Sequence, residues 1–309
     1  MNATLLQRLR ASRGFDAREV CAAKVARLAR WFAHERLDAA VVGVSGGVDS
    51  ALTLALLRAA AREDTTLRRV VALLMPIEAP GATAQAEATR RGRWVCEQLG
   101  AETWLSPLAE AQRALVGALE GASGLRFDPW AAGQMLSVTR TPALYGAAAL
   151  LQRHGHRAVV VGTTNRDEGA WLGFFGKASD GTVDLQPIAD LHKSEVRALA
   201  RHLGVPEAVV EAVPSGDVFD GRSDEAMIGA AYDEVELVLR LLECGLPGEL
   251  AGASAYESIA RHHAVNRHKY LGAGYAAYVD VMPRGVPGGW RDTPFAGRAE
   301  RRPPDAALP

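Results

Sequence analysis

Apolar residues recur at helical spacing through "MNATLLQRLRASRGFDAREVCAAKVARLARWF", with arginines set into the stripe. Asp16, Glu19 and the direct run into the next apolar segment argue for docking helices over residues 1–38 rather than an acid-poor transit peptide. The period then changes. Residues 39–44 read as a buried strand, and 49–62 return to helical spacing, with Leu52, Leu54, Ala55, Leu56 and Leu57 giving a broad apolar face. "RRVVALLMP" predicts the next strand, 83–99 a helix closed by Gly100, "AETWL" a strand, and about 108–120 a helix. "GASGLRFDPW" reads as a loop; Pro142 suits the first turn of a helix ending near 153, and "HRAVVVGT" is another strand.

This alternation predicts an α/β fold with a doubly wound, mostly parallel sheet and helices on both faces. Beyond it, "LHKSEVRALARHLGVP" is a helix stopped by Gly204 and Pro206. "SDEAMIGAAYDEVELVLRLLECG" opens on a Ser223 cap with an acidic first turn, and 254–270 begins with Ser254 and Glu257 at capping-box spacing. These helices are expected to pack on the sheet, so that residues 1–282 form one domain. The tail 283–309, rich in Pro, Gly and Arg, is expected to be flexible.

Composition narrows the function by exclusion. Of 309 residues, 48% are hydrophobic and 23% charged, and the net charge of −1 lacks the basic field that a general binder of nucleic acid or membrane surfaces needs. No apolar run reaches transmembrane length. Cys21, Cys96 and Cys244 form no C-x-x-C pair, which fits a reducing cytoplasm.

The chemistry concentrates in "VVGVSGGVDSALTLALL", residues 41–57. Gly43, Ser45, Gly46, Gly47 and Ser50 lie where a strand passes into a helix, a place where free backbone N–H groups and the helix dipole attract an anion. No lysine follows the glycines, so this is not the common nucleoside-triphosphate loop. Asp49 would repel a pyrophosphate unless a divalent cation bridged the two, as Mg²⁺ does with carboxylates and phosphate oxygens. The other reading of Asp49 is a helix-dipole partner contributing about 0.3 to 1 kcal/mol.

The string S-G-G-x-D-S after a buried strand resembles the pyrophosphate loop of the ATP pyrophosphatase superfamily. With "VVVGTTNRDEGAWLGFFGKASDGTVDLQPIADLHKSEVRALARHLGVP", residues 159–206, the resemblance narrows to the ammonia-dependent NAD synthetase family over about residues 20–270. That family carries G-T-x-x-x-x-E, F-F-x-K, D-G-x-x-D-x-x-P and L-x-K segments. The resemblance implies a Rossmann-like sheet of the adenine nucleotide alpha-hydrolase type, ATP as co-substrate, and Mg²⁺ held by Asp49 and Glu168. It makes Lys193 the lysine that meets the phosphates, and Thr163, Ser215 and Arg140 nucleotide contacts. Phe175, Lys177, Asp180, Asp184, His268 and Lys269, with Arg140, are its substrate contacts. Asp224 and Glu225 match an acidic pair after a mobile loop; 213–223 and 78–86 are the expected lids. His262, His263 and His268 are read as solvent-facing rather than as a metal site.

The implied reaction adenylates the carboxylate of nicotinate adenine dinucleotide and lets ammonia displace AMP. Nitrogen is expected to come as ammonia, free or from a separate protein, since about 38 residues precede the first strand where glutamine-dependent relatives carry a nitrilase-type domain. A homodimer is expected by resemblance alone. One departure stands out: the family's A-R-x-R-M segment reads "SVTRTPALYG" here, so Arg140 stands in for two arginines. That departure, with Trp130 and Trp171 nearby, leaves open an amide synthetase acting on another carboxylate. A non-catalytic nucleotide-binding homologue and a tRNA-modifying pyrophosphatase are the remaining readings, the latter lacking the cysteines and basic face it would want.

Overall fold

The computed structural model describes residues 2–77, 83–214, 222–270, 277–278 and 281. The expected tail, Ser215, most of the 213–223 segment and residues 78–82 of the second expected lid lie outside them. In chain order the elements are α1 (Ala3–Arg13), α2 (Ala17–Glu35), β1 (Ala39–Gly43), α3 (Val48–Glu63), β2 (Arg69–Leu74), α4 (Thr83–Gln98) and β3 (Glu102–Leu105). There follow α5 (Ala109–Ser123), α6 (Pro129–Arg153), β4 (Ala158–Val161), α7 (Arg166–Gly169), β5 (Leu185–Gln186), α8 (Lys193–His202) and α9 (Glu207–Val210). The last described elements are α10 (Asp224–Ile228), α11 (Tyr232–Glu243), α12 (Ala253–Asn266) and β6 (Ala277–Tyr278).

The strands run β3-β2-β1-β4-β5-β6, and every pairing is parallel. Alternation along β1 explains the two layers. Ala40 and Val42 join α2, α3 and α8 in one apolar core, whereas Ala39 and Val41 pack with Val71, Leu73 and the α6 residues Ala147, Ala148 and Leu151 on the other face. Strand order reverses between β1 and β4, so the loops leaving their carboxyl ends diverge and open a crevice, the usual ligand position in such sheets.

A third core gathers α1, α7, α10, α11 and α12 around Val235, Leu237, Val238, Leu239 and Leu241. The two N-terminal helices are tied down by ion pairs. Lys24 on α2 meets Asp190 at 2.5 Å with both side chains fully buried, and Arg13 on α1 meets Glu195, in the first turn of α8, at 2.6 Å. Arg10 adds Asp233 and Glu236 on α11, each at 2.6 Å.

Three local expectations need correction. Pro142 lies inside the 25-residue α6, whose start is set by Asp128 accepting from the Ala131 N–H and by Pro129 in the first turn. The helix expected from Ser223 is broken: Ser223 caps only α10, and Gly229, at φ +74°, ends it before α11 starts. Ser254 and Glu257 make no capping box, because α12 begins one residue earlier, after Gly252.

Candidate active site

The loop between β1 and α3 is shaped by glycine and tightened by hydroxyls. Gly46 has φ +87°, and a Cβ there would fall 2.1 Å from the Ala88 carbonyl oxygen, so α4 backs the loop at a distance only glycine allows. Arg91 Nε donates to the Gly46 carbonyl at 3.3 Å. Ser50 Oγ donates to the Gly47 carbonyl at 3.0 Å and accepts from the Ser45 N–H, while Ser45 Oγ accepts from the Gly47 N–H at 3.3 Å. Gly47 is the N-cap of α3 and offers no side chain, which leaves the first-turn amides to an incoming anion.

Across the crevice, β4 runs into the loop Gly162-Thr163-Thr164-Asn165, and α7 carries Glu168. Lys193, first residue of α8, places its Nζ 2.5 Å from Asp49 Oδ2 and 3.2 Å from Glu168 Oε1. Its own backbone N–H donates to buried Asp167 at 2.6 Å. Asn165 Nδ2 donates to Asp49 Oδ1 at 2.8 Å and to Glu168 Oε1 at 2.7 Å. Tyr232, on α11, donates its hydroxyl to Glu168 Oε1 at 2.9 Å or to Asp224 Oδ2 at 3.1 Å, and its ring lies 4.6 Å under the Lys193 ammonium.

Burial raises the Glu168 carboxyl to about 8 against the attraction of Lys193, with Asp49 and Asp224 adding to the rise. Burial alone would lower the Lys193 ammonium, but Asp49 and Glu168 reverse this and hold it above the ordinary lysine range. The Tyr232 hydroxyl is likewise held well above its ordinary value, by burial and then by Glu168 and Asp224. Acid therefore exceeds base around one ammonium, and the donor atoms are hard oxygens. This suits Mg²⁺, which takes one or two carboxylates and completes its shell with phosphates and water. Among the described residues no group of three or more His, Cys, Asp or Glu side chains is gathered as a metal cage.

A cavity of about 840 Å³ opens over this cluster. Its lining includes Gly43, Ser45, Asp49, Ser50, Arg140, Thr163, Glu168, Phe175, Asp180, His268 and Lys269, so residues far apart in the chain converge on one space. Asp224 lines it too. Gly46 and Gly47 shape it from behind, and Lys193 reaches it through Asp49 and Glu168. Lys177 and Asp184 are not in the lining. The Asp184 carboxylate accepts from the Val160 N–H at 2.8 Å and from the Tyr145 hydroxyl at 3.3 Å. Lys269 Nζ donates to the carbonyls of Gly173 and Phe175 at 2.8 and 2.5 Å. Trp130 lines the cavity and is 65% exposed, whereas Trp171 is buried and stacks on His263 at 4.0 Å.

Sequence reasoning missed Asn165, Tyr232 and Gln85. Gln85 lines the cavity, accepts from the Ile77 N–H at 2.9 Å, and leaves its buried Nε2 without a protein partner among the described residues. Asn165 sits among spacer positions of the G-T-x-x-x-x-E segment, and Tyr232 is 64 residues from the carboxylate it serves.

The NAD synthase family model matches residues 20–270. The NH(3)-dependent NAD(+) synthetase of Methanoregula boonei is 32% identical over 250 residues, covering 80% of this chain and 91% of its own. That of Mannheimia succiniciproducens is 33% identical over 260 residues, covering 79% and 91%. Among solved structures, the NMN synthetase of Francisella tularensis superposes with a TM-score of 0.70 at 25% identity, over 84% of this chain and 98% of that one. The NAD+ synthetase of Burkholderia pseudomallei gives 0.65 at 28%, over 86% and 94%. With its loop, its carboxylate pair and these relatives in agreement, the chain belongs to the NAD synthase family.

Proposed function

We propose that this protein is an ammonia-dependent NAD synthetase, a ligase that forms a carbon–nitrogen bond. ATP is the co-substrate. The carboxylate of nicotinate adenine dinucleotide attacks the α-phosphorus, pyrophosphate leaves, and ammonia then displaces AMP from the acyl adenylate to give the amide of NAD. The observation that carries the reading is the pairing of Asp49 with Glu168 through Lys193 and Asn165 beside the glycine loop at the start of α3. The loop amides and serine hydroxyls are assigned to the departing pyrophosphate, and Lys193 supplies the cationic charge the loop lacks. Asp49 and Glu168 would hold Mg²⁺, which when bound supplies charge neutralisation to the phosphates. The other cavity residues position the acid, and no side-chain nucleophile is required. Thr163, Arg140 and Ser215 are assigned to the nucleotide; Phe175, Lys177, Asp180, Asp184, His268 and Lys269 to the dinucleotide side.

A homodimer in the cytoplasm completes the proposal. The helix α5 has no buried residue and exposes Leu115 and Leu119, which supports a partner surface there. Free Cys21, Cys96 and Cys244 fit a reducing compartment, and no described helix is long and apolar enough to cross a membrane. A second reading, another carboxylate as substrate, is favoured by Arg140 standing alone in the segment where the family carries two arginines and by the likeness to a synthetase named for NMN. Initial rates of ammonia-dependent AMP release decide between them. Stimulation by the dinucleotide above a panel of mononucleotide and small acids supports the first reading, and stimulation by another acid alone overturns it.

A further inference from the structure

Asn165 is fully buried and already committed at one end. As N-cap of α7 it accepts the Glu168 N–H on Oδ1 at 3.1 Å, which fixes the orientation of its amide and points Nδ2 toward the acids. That nitrogen reaches Asp49 Oδ1 at 2.8 Å and Glu168 Oε1 at 2.7 Å, one hydrogen to each carboxylate. Lys193 touches the same two carboxylates, but an ammonium on a flexible stem cancels charge and is also the group assigned to the phosphates. A carboxamide holds both acids without adding a charge of its own. Of these two groups only Asn165 still holds the pair when the lysine turns to a nucleotide.

Resting on the function proposed for this site, we infer that Asn165 is a positioning residue that keeps Asp49 and Glu168 together for a divalent cation, independently of Lys193. The capping and bridging roles separate in Asn165→Ser, because serine keeps the cap oxygen but is too short to carry donors to Asp49. Mn²⁺ titration of the full chain with an ATP analogue, followed by the electron paramagnetic resonance of free ion, reads the bridge without turnover. The serine variant is expected to fold, with a lowered melting temperature from the two lost hydrogen bonds, and to bind Mn²⁺ about 10- to 100-fold more weakly, the usual effect of removing a partner that orients a metal ligand. Its KM for ammonia is expected to stay unchanged. If serine prevents folding, Asn165→Thr tests the same separation.

Equal Mn²⁺ affinity in the folded variant and the parent overturns the inference, and so does a parent chain that binds no Mn²⁺ in the presence of nucleotide. A parent that binds Mn²⁺ with nucleotide yet makes no amide from the dinucleotide overturns the substrate assignment alone.

Discussion

At the scale of single residues, the site is a contest between burial and charge. Lys193 keeps its proton because Asp49 at 2.5 Å and Glu168 at 3.2 Å more than offset its burial. Removing it leaves two carboxylates facing each other and the loop without a cation. Lys193→Met is therefore expected to lower kcat by about 10²- to 10³-fold, the scale of a lost electrostatic stabiliser, and to lower the melting temperature, because two buried acids lose their cation. Steady-state rates beside a thermal melt check this; a variant with parental kcat would remove Lys193 from the chemistry. Asp49, Glu168 and Lys193 were legible because a motif fixes their spacing. Asn165 and Tyr232 were not, because their roles arise where α7, α8 and α11 converge, which no local pattern encodes.

At the scale of elements, the glycine loop depends on its contact with α4. Gly46→Ala combines a positive φ with a Cβ 2.1 Å from the Ala88 carbonyl and should cost at least about 1–3 kcal/mol while raising KM for ATP. Gly14→Ala is the control, since Gly14 also has positive φ, +67°, but open space around it. Denaturant midpoints should fall further for Gly46→Ala, and only that variant should change KM; equal behaviour would mean α4 does not constrain the loop. The opposite rim of the sheet is pinned by Asp38, which accepts from the Arg157 N–H at 2.6 Å and from Arg68 and His156, joining the starts of β1, β2 and β4. Burial alone would raise its carboxyl, but these partners together hold it below the ordinary value. Its contribution is thus present above the ordinary carboxylate range and is lost as pH falls through the depressed folded value. Asp38→Ala should destabilise by about 2 kcal/mol at neutral pH and by less in acid, read as denaturant midpoints at both. An equal loss at both would deny the charge a role. Strand and helix order is legible in the periodicity, whereas the ends of α6, α10 and α12 are not: Asp128–Pro129 starts a helix in a stretch whose composition reads as a loop, and Gly229 breaks one that periodicity carries through.

At the scale of the whole molecule, the reversal of strand order between β1 and β4 brings the Asp49 loop and the Glu168 turn to the same crevice, and the N-terminal helices brace α8 from behind. The apolar face of α5 carries the dimer proposal. Leu119→Asp is expected to shift the mass by light scattering from twice the chain to one chain. A parent chain already monomeric at working concentration would end that proposal. The central claim is tested most directly by a crystal structure of the full chain with a non-hydrolysable ATP analogue and Mg²⁺. The account predicts the cation on Asp49 and Glu168 and the β- and γ-phosphates on the amides of residues 45–50. A nucleotide seated away from that loop, or a cation that touches neither carboxylate, would contradict it.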